Sequence, residues 1–500
     1  MVPHKFAGRP QSLPTGQTRR SGPPEEDCFM WRRPICAVAA IALVAVGCSD
    51  DDGDNAGSGD GDGGEGGSIT MWTVYDTADR IATMEPVLAT FTEQSGIEVE
   101  LVGVSAPDLS QAMVSAAAAG DLPDVVVHGV ELAGGWVNEG ILDSAAASEL
   151  VDELGADTFN ESALDLIRVE DAEGEYATVP SDGWGQMIFY RSDLFESAGL
   201  EPPDSYEDVL AAAEQLNGQD GVSGFALGSS GGDGFTMQVF EHVALANDCQ
   251  LVNDDGEVTL DSPECVEAIQ FYVDLNEFAP TGAGDVDTTR ANWLAGRAAM
   301  MSWSPHLLDE LAGLFPDTPL TCAECANDQQ WLVDRTTMLP LFQGPSGEEP
   351  TQFGLTINLG ITTSADTESA KELVRYLLGE EGYMGFLSIS PEGRFPMRNG
   401  PEAGDTSYVD GWRELAVGSG SQTVSVGELY GDEAVETIAT GATGFERWGF
   451  AQGYGALVTA MYGDLELTNI LRDALDGSIT PEEAAAQMDE SATQLAEGLG

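Results

Sequence analysis

From Ile69 onward, short β-branched and aromatic runs alternate with helix-like stretches, and this alternation limits the fold more than any other feature of the chain. Ile69-Thr-Met-Trp-Thr-Val-Tyr75 reads as a first strand and Ile97-Glu-Val-Glu-Leu-Val102 as a second. Between them, from Arg80 to Ser95, Ile81, Met84, Leu88 and Phe91 fall on one helical face, with Pro86 counting against the helix. Leu109 to Ala119 is an Ala-rich helix stopped by Gly120, Val125 to Val127 is a buried strand, and Trp136 sits in a short helix. This βαβα order predicts an open, mostly parallel α/β sheet. Further on, Met187 to Tyr190 and Gly224 to Leu227 read as strands. Ser205 is an N-cap, and Thr480-Pro481-Glu-Glu483 is a capping box opening a C-terminal helix.

The chain ahead of Ile69 has another character. Trp31-Arg32-Arg33 is a positive segment, and Ile35 to Val46 is an unbroken apolar run. That run falls short of the about 20 residues a spanning helix needs, and it suits a signal segment. It ends Ala45-Val46-Gly47-Cys48, which resembles a bacterial lipobox, although Ala45 stands where Leu is usual. The Cys48 thiol is therefore expected to carry a lipid. Residues 1–48 form the signal segment, with Met30 the expected true start and Arg32-Arg33 a weak twin-arginine feature. Residues 49–68, almost all Gly, Asp and Ser, cannot form a core and read as a disordered tether. A Gly-rich coil of that length reaches roughly 25 Å.

The composition holds 86 Asp+Glu against 19 Lys+Arg, a net charge of −67, and Lys5 and Lys371 are the only lysines. A surface this acidic excludes nucleic acid, whose binding needs basic patches. It also repels itself at low ionic strength, whereas at about 1 M salt the Debye length is roughly 3 Å and the repulsion is largely screened. The chain is therefore read as halophilic. Its unfolding midpoint should rise between low and molar salt, and equal midpoints would overturn that reading. After Cys28, Cys36 and Cys48 are set aside, Cys249, Cys265, Cys322 and Cys325 remain. An even count outside the cell favours disulfides. Three pairings are possible, the local bridges 249–265 and 322–325 being expected, and a zinc site built from all four is the alternative.

Several motifs carry a family resemblance. They are Gly120-Asp-Leu-Pro-Asp124, Gly174-Glu-Tyr-Ala-Thr-Val-Pro180, Ile188-Phe-Tyr-Arg191, Asp193-Leu-Phe-Glu-Ser-Ala-Gly-Leu200, Pro202-Pro203, Ala295 to Met301 with Trp303, and Gly354 to Gly382. From about Ile69 to its end the chain resembles the family 1 extracellular solute-binding proteins, the maltose-binding-protein-like group. The resemblance implies a two-lobed α/β fold of the periplasmic-binding-protein kind, with hinge crossovers and a ligand cleft between the lobes. Lobe one is expected over 69–186 and 352–395, and lobe two over 187–351 and 396–500. It implies the substrate-binding component of an ABC importer: a monomer, lipid-anchored at the extracytoplasmic face of the membrane. Such a protein binds a carbohydrate by hinge closure and delivers it to permease subunits, with no catalytic group, cofactor or metal.

In open α/β sheets ligands sit beyond the carboxyl ends of strands. Sugars call for aromatic faces and for charged or amide hydrogen-bonding groups. On that basis the candidate ligand residues are Tyr75, Asp76, His128, Asp182, Trp184, Ser230, Asp233, Trp303, Arg398 and Trp448. Rival classes remain. Gly228-Ser229-Ser230-Gly231-Gly232 fits a nucleophile elbow, which would make a secreted serine hydrolase of Ser230 with His242 or His306 as base. A glycosidase would need two placed carboxylates, and no pair is singled out. A sensory binding protein that presents its ligand to a receptor is not separable from a transport component in the sequence.

Overall fold

The computed structural model describes residues 67–169, 175–253, 255–314, 318–419 and 422–499. The expected signal segment, Cys48 and nearly all of the tether lie outside the described residues. Two sheets organise the rest. The first contains β1 (Ser68–Thr73), β2 (Glu98–Gly103), β3 (Val125–Gly129), β4 (Val179–Gly185), β9 (Gln352–Ile361), β10 (Phe395–Pro396) and β13 (Phe445–Glu446). Its order is β10-β4-β9-β3-β1-β2, with β13 added to β9. The second contains β5 (Met187–Arg191), β6 (Ser223–Ala226), β7 (Ala298–Trp303) and β8 (Thr336–Leu339), in the order β6-β7-β5-β8. A separate hairpin joins β11 (Ala416–Ser419) to β12 (Gln422–Ser425).

The parallel expectation holds for part of the first sheet. β2, β1 and β3 run parallel, but β9 is antiparallel to both β3 and β4. The reason lies in the chain path. β4 runs straight into β5 through Gln186 alone, so the chain leaves for the second sheet, and β9 is the strand that comes back, in the opposite direction. β10 follows, and the chain returns to the same sheet at Phe445–Glu446, beyond the boundary expected after residue 395.

Local rules account for the elements. β1 alternates exposed and buried residues, whereas β3, between β1 and β9, is buried throughout, as its Val-Val-Val run demands. The helix Ala78–Ser95 tolerates Pro86 because Pro86 is exposed, and Met84, Leu88 and Phe91 still face the core. The helix Pro481–Leu499 opens on the expected reciprocal cap, Thr480 N donating to Glu483 Oε2 at 2.9 Å and Glu483 N to Thr480 Oγ1 at 3.2 Å. The cysteines are bonded as Cys249–Cys265 and Cys322–Cys325, in two separate bridges rather than one zinc-type cluster. No described helix is long and apolar enough to cross a membrane.

Candidate functional site

The site lies where the two sheets face each other across the crossovers. From the first lobe, the loop after β1 carries Tyr75, the next helix presents Arg80, β4 carries Asp182 and Trp184, and the segment before β10 carries Glu392 and Arg394. From the second, β7 runs out into Ser304-Pro305-His306, and the short helix Leu308–Leu311 adds Asp309 and Glu310. His306 lies flat on the backbone of Gly393, so closely that a side chain at Gly393 would collide with the imidazole.

Arg394 and Asp182 form a buried, bidentate ion pair. Arg394 Nε donates to Asp182 Oδ1 at 2.9 Å, and Nη2 to Oδ2 at 2.7 Å. The Arg394 guanidinium also stacks 4.6 Å from the Tyr75 ring and 4.3 Å from that of Phe386. Beside this pair lies half-buried Trp184, its ring 6.1 Å from His306 and 6.2 Å from Phe353. Arg80 Nη2 donates to Ser390 Oγ at 3.4 Å, and Ser390 donates on to Glu392. His306 Nδ1 is 4.0 Å from Glu392 Oε1. The low-polarity surround, with Arg80 and Arg394 close by, pushes His306 down to about 4, so it is neutral at pH 7. Burial, reinforced by Glu392 and Glu310, pushes the Asp309 carboxyl up to about 8, and burial raises Glu392 as well.

On the other side of Phe353 a second polar group spans the cleft. Arg447 lies 4.3 Å over the Phe353 ring, and its Nε donates to Glu241 Oε1 at 2.7 Å. Tyr462 Oη donates to Glu241 Oε2 at 2.8 Å. Glu131, in the short helix Val130–Leu132 after β3, is half-buried near Arg447; its Oε2 and Arg447 Nη1 find no hydrogen-bond partner among the described residues. The helix Ala133–Asn138 of the first lobe meets the helix Gly455–Asp464, which rests on the C-terminal helix and through it on Pro263–Asn276. Gly134 makes this approach possible: a methyl there would lie 2.6 Å from the backbone of Gly455 and Ala456.

Of the expected ligand residues, the structure brings Tyr75, Asp182 and Trp184 into this group. The others lie elsewhere. Asp76 is exposed, packed against Gly103 at the end of β2. His128 is fully buried, Nδ1 2.8 Å from Gly129 O and its ring 5.0 Å from that of Trp136; burial pushes it down to about 4. The guanidinium of Arg398 is consumed by Thr158 Oγ1 and the carbonyls of Leu154, Leu378 and Pro401. Trp448 is a core residue, donating from Nε1 to Cys249 O at 2.7 Å. Trp303 packs against Phe235. Asp233 caps the helix Gly234–Leu245 through Thr236 N at 3.0 Å, and Ser230 N donates to Thr236 Oγ1 in the same cap. In each of these side chains except Asp76 and Ser230, protein packing or protein hydrogen bonds use the group that was expected to meet ligand. Among the described residues no hydrogen bond joins Ser230 to His242 or His306, and the buried His242 ring packs edge-on to Phe342 instead.

Sequence reasoning passed over Arg80, Glu392, Arg394, Asp309, Glu131 and Arg447. One signal was available. In a chain with 19 basic residues in all, an arginine set between apolar neighbours, as in Gly393-Arg394-Phe395 or before Trp448, marks an internal partner rather than a solvated face.

A family model described as bacterial extracellular solute-binding protein matches residues 76–384, more than half of the chain. The chain belongs to that family. Among curated relatives of this solute-binding protein is the putative ABC transporter periplasmic-binding protein YcjN of Escherichia coli. It is 25% identical over 324 residues, 64% of this chain and 70% of that one. Among solved structures, the GacH receptor of Streptomyces glaucescens has a TM-score of 0.65 at 20% identity, covering 86% of this chain and 98% of its own. Maltose-bound MalE3 of T. maritima has a TM-score of 0.63 at 20% identity, covering 86% and 99%. These likenesses show the two-lobed fold. The family and these relatives are binding proteins.

Proposed function

We propose that this solute-binding protein is the lipid-anchored, extracytoplasmic substrate-binding component of an ABC importer, and that it closes on a carbohydrate or polyol for delivery to a permease. One observation carries the ligand class. Half-buried Trp184 offers an aromatic face beside the Arg394–Asp182 pair of the first lobe and His306 of the second. Sugar rings present apolar faces to aromatic rings and hydroxyls to charged acceptors and donors, and such charge-assisted bonds are the stronger kind. Relatives of the same fold are named for maltose, ribitol and tagatose, which supports this reading. The apolar run, Gly47-Cys48 and the Gly/Asp tract after it support the anchor. The crowd of carboxylates disfavours a phosphorylated ligand.

A thermal-shift screen of sugars, polyols and glycerol phosphates in molar salt tests this. A ligand at about 100 times its Kd adds about 2.7 kcal/mol of stability, which raises the melting temperature by several degrees. No shift with any carbohydrate, together with a shift from an amino acid or peptide, would overturn the ligand class.

A further inference from the structure

A cavity of about 130 Å³ opens at the carboxyl end of β6 and is lined by the second lobe alone. Leu227 and Pro280 give it an apolar wall, and Ser229, Thr281, Thr289 and Asn292 give it polar groups; no charged residue lines it. β6 and β7 run parallel, and the carboxyl end of such a strand is where open α/β sheets place small ligands. No residue of the Trp184–His306 group takes part in this cavity.

Its base is a close approach of two segments. Gly284 N donates to Ser229 Oγ at 2.8 Å, and Ser229 N donates to Gly284 O at 2.8 Å, which clamps the loop before the helix Val286–Leu294 onto the strand end. A methyl at Gly284 would lie 2.1 Å from Leu227 O and 3.1 Å from Thr289 Oγ1, so only glycine fits, and the Thr289 hydroxyl lies beside it. Ser229 and Thr289 are each 2% exposed. Thr289 Oγ1 has no hydrogen-bond partner among the described residues. Ser229 Oγ accepts from Gly284, and its own proton has no acceptor among them. Buried hydroxyls left unpaired are costly, and both of these residues line the cavity. Asn292 Nδ2 donates to Thr288 O at 2.9 Å, which leaves its Oδ1 as an acceptor.

We propose that this cavity is a second solute site, separate from the cleft, and that it takes a small uncharged polyol about the size of glycerol or erythritol. Two hydroxyl donors and an amide acceptor match neighbouring hydroxyl groups, while Leu227 and Pro280 match the carbon chain. The volume equals roughly four waters at about 30 Å³ each. It falls below the roughly 300 Å³ at which pockets for larger ligands begin, so a disaccharide does not fit. With no charge in the wall, nothing offsets the desolvation of an ionic ligand.

Erythritol is the probe. Its binding to the full-length protein in molar salt is followed by saturation-transfer NMR at millimolar concentrations, below those at which polyols act by exclusion from protein surfaces. Trp184→Ala, which alters the cleft, should keep saturable erythritol binding, and the cavity variants are made in that background so that the cleft does not contribute. Thr289→Val, which keeps the shape and removes the hydroxyl, should weaken binding about fivefold to tenfold, the range of one hydrogen bond. Asn292→Ala should weaken it by a similar factor. Asn292 is only half-buried, so its variant carries the test if Thr289→Val does not fold, which melting temperatures without ligand reveal. No saturable binding, or cavity variants that bind as before, would overturn the second site and leave the cavity to water. Loss of binding on Trp184→Ala alone would put the polyol in the cleft, which overturns this site and leaves the carbohydrate reading standing.

Discussion

Arg394→Met should lower the unfolding free energy by about 3–5 kcal/mol, the range found when one partner of a buried ion pair is removed. Arg394 and Asp182 have 1% and 0% of their side chains exposed, so water cannot take over when either is lost. The substitution strands the fully buried Asp182 carboxylate, with Ser181 Oγ the one donor left to it among the described residues. Asp182→Leu alone should cost a similar amount by stranding the guanidinium. The double variant Asp182→Leu/Arg394→Met should recover much of the loss, because the charges and their desolvation leave together. Urea unfolding in molar salt reads all three. Additive losses would show that the residues act separately, contrary to the bidentate geometry.

Gly134→Leu should weaken ligand binding about tenfold to a hundredfold while leaving the ligand-free unfolding midpoint nearly unchanged. Gly134 belongs to the first lobe and faces the backbone of Gly455 and Ala456, which the second lobe carries on its C-terminal helices. Overpacking of a tight contact costs about 1–3 kcal/mol. We propose that this seam forms on closure, so that the cost appears in Kd rather than in unfolding. Calorimetry with whichever carbohydrate the screen identifies gives the affinity. An unchanged Kd would mean that this seam also persists when the lobes open.

The first lobe was largely readable because its strands are local and strongly patterned. Val125-Val-Val127 and the Met84, Leu88, Phe91 stripe are where periodicity placed them. The direction of β9 was not readable, since it depends on a crossover made some 170 residues earlier at Gln186. The site was readable only in part for the same reason. Asp182 and Arg394 are separated by 212 positions, and nothing near either names the other. Trp184 and Trp448 each stand next to a glycine in the sequence, yet one borders the cleft and the other is sealed in the core. Tertiary packing alone separates them. His128 was a missed inference, because β3 continues through it to Gly129, and a residue inside a strand buried on both faces is itself buried.

The position of β9 bears on how the chain folds while being made and exported. β9 lies between β3 and β4 and is their shared neighbour. A chain emerging from its N-terminus presents β3 and β4 long before residues 352–361 arrive to pair with them. Until then the sheet has two unsatisfied edges and no route to closure, since long-range strand pairing is slow and depends on the late segment. The first lobe therefore stays unfinished through synthesis of nearly three-quarters of the polypeptide. The interval keeps the chain loose enough to be threaded across a membrane, and it sets the period over which the strand edges must be kept from pairing with one another's copies.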